Sequence, residues 1–182
     1  MDEDFLSGWR VRQMRSGEVI RNFTCGDSDL DDYIMNESGI YQSELLASNY
    51  LIEDGNSSLL AFFTLLNDRV CITDFDTPTD FNRFRRKRFA QAKRFRGYPA
   101  VKIGRLAVLG AFRNMGLGSM LLDFIKSYFV KTRRTGCRFL TVDAYNSAVN
   151  FYSKNGFVKL NDKSDSNTCL MYYDLIDCKD RL

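Results

Sequence analysis

The segment from Arg113 to Gly118 has the residue types and spacing of an anion-binding turn. It reads Arg-Asn-Met-Gly-Leu-Gly and lies between the apolar stretch Leu106–Val108 and a long amphipathic segment. This order predicts a strand, a glycine-containing turn and the start of a helix. The first backbone N–H groups of a helix lack internal partners and lie at the positive end of its dipole, so a phosphate or pyrophosphate fits there. Glycines at 116 and 118 would let a ligand approach the backbone, and Arg113 would add charge.

A short string of this kind also occurs in ordinary tight turns, so a functional interpretation needs the support of a second pattern further along the chain. Val142–Asn146 is followed by Phe151-Tyr152 and by Asn155-Gly156-Phe157. In this order and at this separation the two blocks resemble motifs A and B of the GNAT N-acetyltransferase superfamily, from Ile103 to Phe157. The resemblance implies an α/β (α+β) fold, in which helices flank a mixed, mostly antiparallel sheet that is splayed at its central strand.

The resemblance also implies acetyl-CoA as cosubstrate and a set of residues that bind it. The pyrophosphate would be held by Arg113, Asn114, Met115, Gly116, Leu117, Gly118 and Ser119, the pantetheine and acetyl carbonyl by the backbone of Leu106, Ala107 and Val108, and further polar groups by Asn146 and Asn150. Tyr145 stands where many members carry the motif asparagine.

Tyr152 matches the general acid of the family. A phenol with a pKa near ~10 is protonated at neutral pH and can donate a proton to a thiolate whose conjugate acid has a pKa near ~8.5. The alternative role is that of a core tyrosine whose hydroxyl bonds to the backbone.

The general base is less evident. Many relatives place a glutamate on the central strand, whereas Lys102 to Leu109 contains no acid, and elimination leaves Asp74, Asp76 and Glu44. Deprotonating a lysine-type amine at pH 7 costs about 4 kcal/mol, and deprotonating an α-amino group costs about 1 kcal/mol. The missing base therefore favours an α-amino acceptor or a water relay.

A second resemblance concerns the acceptor. Phe23-Thr24-Cys25-Gly26, then Leu30-Asp31 and Ile34, together with Gly104–Val108, is similar to GNAT toxins that acetylate aminoacyl-tRNA. The same N-terminal signature occurs in GNAT proteins that are not toxins. Three functions therefore stay open: acetylation of a small-molecule or peptide amine, which is slightly favoured, acetylation of aminoacyl-tRNA by a toxin with or without a cognate antitoxin, and acyl-CoA binding without catalysis.

The segment from Arg83 to Arg96 concentrates positive charge. It holds eight of the 26 basic residues and no acid, in a chain whose net charge is +3. Such a run indicates either a solvated helix face or a tRNA contact. From Phe81 onward, aromatic and small residues recur at roughly helical spacing, which predicts that they face the core: Phe81, Phe84, Phe89, Ala92 and Phe95.

Composition limits the remaining possibilities. At 182 residues and 45% hydrophobic content, the chain is expected to form a single domain, 1–182. Without histidine it cannot be a Ser-His-Asp hydrolase or a His-ligated zinc enzyme. Five scattered cysteines indicate free thiols and no metal site. The longest apolar run, Leu59–Leu66, is too short to span a bilayer, and the acidic N-terminus is unlike a signal peptide, so we expect a cytoplasmic monomer or homodimer.

The elements around the motifs follow from local patterns. A strand is expected near residues 9–15, a helix capped by Asp27 or Ser28, a hairpin of Asn49–Glu53 and Leu59–Leu66, and a separate short strand from Val70 to Phe75. Ala100 to Leu109 is expected to be the central strand. The amphipathic pattern from Leu117 to Tyr128 predicts the clearest helix. A strand at Phe139–Ala144, a helix at Ser147–Asn155 and a strand at Cys169–Leu175 complete the order.

Overall fold

A computed structural model describes residues 4–6, 8–89, 95–132, 135–161 and 167–179. The chain divides into two compact units. The first comprises Met1–Leu66 and Ile103–Ile125, and the second comprises Asn67–Lys102 and Lys126–Leu182. A single domain over the whole chain remains a prediction.

Eight strands and six α-helices are described. The strands are β1 (Asp4–Leu6), β2 (Trp9–Gln13), β3 (Ser48–Glu53), β4 (Leu59–Cys71), β5 (Gly97–Val108), β6 (Phe139–Tyr145), β7 (Val158–Lys159) and β8 (Thr168–Asp174). The helices are α1 (Ser28–Asp32), α2 (Ser38–Ser43), α3 (Pro78–Arg88), α4 (Leu117–Thr132), α5 (Val149–Lys154) and α6 (Ile176–Lys179). Tyr33–Glu37 is π-helical, and three 3₁₀ turns occur at Ile72–Asp74, Gly110–Phe112 and Asn146–Ala148.

The strands are hydrogen-bonded in the order β1-β2-β3-β4-β5-β6-β8-β7. Antiparallel ladders join β1 to β2, β2 to β3, β3 to β4, β6 to β8 and β7 to β8, whereas β5 and β6 are parallel. This mixed, mostly antiparallel sheet with helices confirms the predicted fold class. None of the helices described is long and apolar enough to cross a membrane.

A buried amide organises the first unit. Asn49 is fully buried, and its side-chain oxygen accepts hydrogen bonds from the hydroxyls of Tyr33 at 2.9 Å and Thr64 at 2.8 Å. Its amide nitrogen donates to the Ser38 carbonyl at 2.8 Å. Because buried polar groups are stable only when they are paired, this network fixes the π-helical turn against β3 and β4.

The predicted start of α1 and the predicted hairpin are both present. The Asp27 carboxylate caps α1 by accepting the N–H groups of Asp29 at 3.1 Å and Leu30 at 3.3 Å. Between β3 and β4, the Asp54 carboxylate accepts the Ser58 N–H at 2.8 Å.

The separate strand expected from Val70 to Phe75 is wrong. Strand β4 runs for 13 residues to Cys71, and the chain then turns because the Asp74 carboxylate accepts the Cys71 N–H at 2.7 Å. Asn67 and Arg69 are exposed while Val70 is buried, which is the alternation of a strand with one wet face.

An aromatic cluster forms the core of the second unit. Helix α3 begins with Pro78 after the capping residue Thr77, and it buries Phe81 and Phe84. Phe84 packs edge-on against Tyr172 with ring centroids 5.3 Å apart. Other buried members of the cluster include Val70, Phe75, Tyr98, Ala100, Phe139 and Leu160.

The five cysteines are free thiols. Four are buried, and Cys137 is half-buried. Burial raises the pKa of Cys25 and of Cys137 to about 11 each.

Candidate functional site

The predicted anion turn is the entry to α4 in the first unit. The Met120 N–H donates to the Gly116 carbonyl at 3.1 Å, so the amides of Leu117, Gly118 and Ser119 lie in the opening turn of the helix. The Leu117 side chain is only 1% exposed and anchors the helix in the core. Any ligand contact from Leu117 would therefore come from its backbone.

The backbone of this turn is unusual at two positions. Asn114 has φ +61° and Gly116 has φ +82°, a region that glycine and asparagine tolerate best. A Cβ built on Gly116 would have no atom of the protein within 4 Å. Met115 between them is 64% exposed. The turn is therefore open outward, with donors at a helix start, which fits a phosphate group.

The end of β5, which precedes the turn, carries apolar side chains, so only its backbone groups could bind a polar ligand. Ala107 is buried, whereas Leu106 and Val108 are half-buried. The parallel ladder between β5 and β6 pairs Ala100–Lys102 with Phe139–Thr141, and β5 continues for six residues beyond it. Such a short ladder is compatible with the splayed central strand that the sequence predicts.

Tyr152 lies on α5 in the second unit and is 7% exposed. Its ring packs edge-on against Phe157, with centroids 5.4 Å apart, and against Phe151 at 5.1 Å. Burial raises the pKa of the Tyr152 phenol above its usual value near ~10. The hydroxyl therefore stays protonated at physiological pH, as a proton donor must.

The glycine after α5 explains the Asn-Gly-Phe motif. Gly156 has φ +83°, and a Cβ there would lie 3.1 Å from the Tyr173 ring. The Lys126 ammonium donates to the Asn155 carbonyl at 3.0 Å and lies 4.7 Å from the centroid of the same ring. These contacts fix the end of the helix that carries Tyr152.

The two asparagines predicted to contact CoA are exposed. Asn146 opens the 3₁₀ turn before α5, where its N–H donates to the Asn167 carbonyl at 3.2 Å, and Asn150 lies on α5. Tyr145, at the motif position, is 43% exposed. Their roles in binding remain predictions.

The three acids proposed as a base differ in surroundings. The Asp74 carboxylate is committed to the Cys71 N–H, and Asp76 and Glu44 are exposed. Sequence reasoning omitted Asp68, whose carboxylate accepts the buried Thr141 hydroxyl at 2.5 Å. No pattern in the sequence points to Asp68, because its partner is 73 residues away.

The basic segment is heterogeneous. Arg83, Arg86 and Lys87 are exposed and share one face of α3. The helix ends at Arg88 because Phe89 is extended and stacks on Tyr98, with centroids 4.3 Å apart.

Past this point the predicted helical spacing fails. Phe95 is 52% exposed rather than in the core. Ala92, Lys93 and Arg94 lie outside the described residues.

Arg88 differs from Arg83, whose ion pair with Asp80 lies within α3, because Arg88 also contacts residues of β8. Its guanidinium donates to the Tyr172 hydroxyl and lies 3.4 Å from the Asp174 carboxylate. The guanidinium carbon is 4.0 Å from the centroid of the Phe84 ring. Arg138 also pairs with Asp174, at 2.6 Å. Arg88 therefore ties α3 to β8 and is not part of the exposed face formed by Arg83, Arg86 and Lys87.

Comparison with known proteins shows what part of this chain is similar to. Residues 81–159 match the model of the acetyltransferase (GNAT) domain. No curated protein sequence matches the chain. Among solved structures, a tyrosine-to-phenylalanine mutant of KacT is 20% identical with a TM-score of 0.77, covering 97% of this chain and 100% of that one.

Two structures of AtaT are also similar. AtaT complexed with acetyl-methionyl-tRNAfMet is 15% identical with a TM-score of 0.74, covering 94% of this chain and 97% of that chain. A tyrosine-to-phenylalanine mutant of the toxin AtaT, bound to the C-terminus of the antitoxin AtaR and acetyl-CoA, is 16% identical with a TM-score of 0.71, covering 94% and 96%. At these identities the likeness shows a shared fold.

Proposed function

Because this chain carries a GNAT acetyltransferase domain, as the sequence motifs predict, we propose that it transfers an acetyl group from acetyl-CoA to a primary amine. The observation that carries the proposal is the open turn at Gly116, where helix amides and a missing Cβ leave room for a pyrophosphate. Arg113, which is exposed beside this turn, would add a positive charge.

The proposed reaction is a direct attack. The amine nitrogen forms a bond to the thioester carbonyl carbon, and the carbon–sulfur bond then breaks. Backbone N–H groups of Leu106–Val108 would polarise the carbonyl oxygen. The Tyr152 hydroxyl would protonate the departing thiolate, and the proton lost by the attacking nitrogen would pass to water and restore the phenol through solvent.

Replacing Tyr152 with phenylalanine tests the acid. General acid catalysis contributes ~10²–10⁴-fold, so Tyr152→Phe should lower kcat in that range while the Kd of acetyl-CoA stays near normal. Tyr145→Phe is the matched control, since it makes the same change in a tyrosine that is 43% exposed, at the end of β6. A Tyr152→Phe enzyme within about twofold of wild type would exclude the tyrosine as the acid.

Wild-type protein that binds acetyl-CoA but acetylates no amine would support acyl-CoA binding without catalysis. The acceptor screen should include charged tRNA, polyamines, peptides and aminoglycosides, with release of CoA followed over time. This screen also separates the two classes of acceptor.

A second candidate is that the acceptor is the amino group of aminoacyl-tRNA. It is favoured by the basic face of Arg83, Arg86 and Lys87 on α3, which a polyanion would suit. It is also favoured by the similarity to AtaT, which has been solved with acetyl-methionyl-tRNAfMet. An α-amino group needs little help to lose its proton, which agrees with the absence of an acid on β5.

Charge removal tests this second candidate. Replacing Arg83, Arg86 and Lys87 with glutamine should weaken tRNA binding and flatten its dependence on salt, because fewer counterions are released. A control variant with Arg21, Lys131 and Lys179 changed to glutamine loses the same charge from other exposed positions. Equal effects of the two triple variants would reject a specific tRNA contact on α3.

A further inference from the structure

The loop Thr24–Gly26 in the first unit joins the N-terminal signature to the residues around Arg113. The Thr24 carbonyl accepts the Gly110 N–H at 2.9 Å, just ahead of the anion turn. On one side of the loop, Phe23 is buried edge-on against Phe62, with centroids 5.3 Å apart. The following Cys25 side chain is 2% exposed. The loop is thus anchored in the core at alternate residues.

The Asp31 carboxylate clamps this loop from α1. One oxygen accepts the Cys25 N–H at 2.7 Å, and the other accepts the Thr24 hydroxyl at 3.0 Å. Hydrogen bonds to a charged acceptor are stronger than those between neutral groups, so these two bonds hold the loop against α1. The sequence spacing between Cys25-Gly26 and Leu30-Asp31 in the signature therefore lets the Asp31 carboxylate bond to the loop.

Gly26 presents the loop to Arg113. It has φ +83°, and a Cβ at this position would lie 3.5 Å from one terminal nitrogen of Arg113 and 3.8 Å from its guanidinium carbon. All three nearest atoms belong to that guanidinium. The guanidinium group therefore lies against the bare Gly26 backbone, and Arg113 is itself the first residue of the anion turn that leads into α4.

We propose that the Asp31-clamped loop is a positioning element for Arg113, holding its guanidinium at the anion turn to receive a phosphate of the acyl-CoA. The inference rests on the proposed function and assigns the N-terminal signature a task within it. An arginine side chain has high rotamer entropy, so holding it in place before the ligand arrives increases affinity. Gly26 and Asp31 act through Arg113 and are positioning residues.

A charge-matched pair of variants tests the proposal. Gly26→Asp places a carboxylate against the guanidinium, whereas Gly26→Asn has nearly the same shape and the same tolerance of positive φ without the charge. In calorimetry, CoA should bind to Gly26→Asp at least about tenfold more weakly than to Gly26→Asn. This is the loss expected when the new carboxylate pairs with Arg113 and the charge-assisted bond from Arg113 to phosphate is lost. The same pair at Gly17, which also has positive φ but no neighbour within 4 Å, should differ by less than about twofold.

A double-mutant cycle identifies the route of the effect. In an Arg113→Gln background, the difference between Gly26→Asp and Gly26→Asn should disappear, and Asp31→Asn should weaken CoA binding only when Arg113 is present. An equal Asp-to-Asn difference at Gly26 and Gly17, or one that persists without Arg113, would overturn the positioning role. Failure of the wild-type protein to bind CoA would instead overturn the proposed function.

Discussion

Arg88 offers the sharpest test of how α3 is held, because it joins this helix to residues of β8. Changing it to glutamine removes the donor to the Tyr172 hydroxyl, the ion pair with Asp174 and the cation–π contact with Phe84. Hydrogen bonds to charged groups contribute about 1.5–3 kcal/mol, and a partly desolvated cation–π contact contributes about 1 kcal/mol. Asp174 retains Arg138 at 2.6 Å and so is not left unpaired.

The expected loss for Arg88→Gln is therefore about 2–4 kcal/mol in the free energy of unfolding, measured by urea denaturation followed by circular dichroism. Arg86→Gln, on the exposed face of the same helix, is the matched control and should stay within about 0.5 kcal/mol of wild type. Equal midpoints for the two variants would refute the assignment of Arg88 as a structural residue. Arg88→Lys should fall between them, because it keeps the charge but loses the planar fork.

Four further outcomes follow from the site and the core. Gly116→Asp should largely abolish CoA binding in calorimetry while circular dichroism stays unchanged, since a carboxylate would occupy the anion turn; unchanged affinity would sink that assignment. Because burial raises the pKa of Tyr152, kcat should not fall between pH 8 and about 10, and an alkaline loss below pH 9 would point to another acid. Gly156→Ala should cost about 1–2 kcal/mol of unfolding free energy from the positive φ alone, and a neutral result in urea titration would contradict the strain argument. Asn49→Ala should cost at least about 2 kcal/mol because it strands two buried hydroxyls, whereas a stable variant would mean that water replaces the amide.

Local sequence patterns predict the structure correctly where it depends on residues close together in the chain. The spacing of apolar residues from Leu117 to Tyr128 predicts α4, and the glycines before it predict the turn, since both depend on residues within a few positions. The polar stretch Asn67–Arg69 instead favours a break, so the sequence predicts a new strand from Val70. The structure has a continuous β4 here, in which Asn67 and Arg69 are exposed and Asp68 between them is half-buried, so alternation rather than hydrophobicity marks the strand.

Long-range partners are what the sequence could not predict. Arg86 and Arg88 have identical side chains, but Arg86 is exposed whereas Arg88 bonds to Tyr172, which is 84 residues away in the sequence. The aromatic spacing likewise predicts a core position for Phe95, but α3 stops once Phe89 stacks on Tyr98. Tertiary contacts of this kind override a periodic pattern because packing energy exceeds helix propensity.

The buried cysteines have a practical consequence for measuring turnover. A chromogenic disulfide reagent reacts with thiolates, and at pH 8 a thiol with a pKa near 11 is ionised only to about one part in a thousand. A small-molecule thiol with an ordinary pKa near ~8.5 is about one quarter ionised at the same pH. Cys25 and Cys137 should therefore react slowly, and burial shields Cys71, Cys169 and Cys178 from the reagent. Colour should then come mainly from free CoA, and a rapid initial burst equal to the enzyme concentration would report opening of the fold rather than a first catalytic cycle.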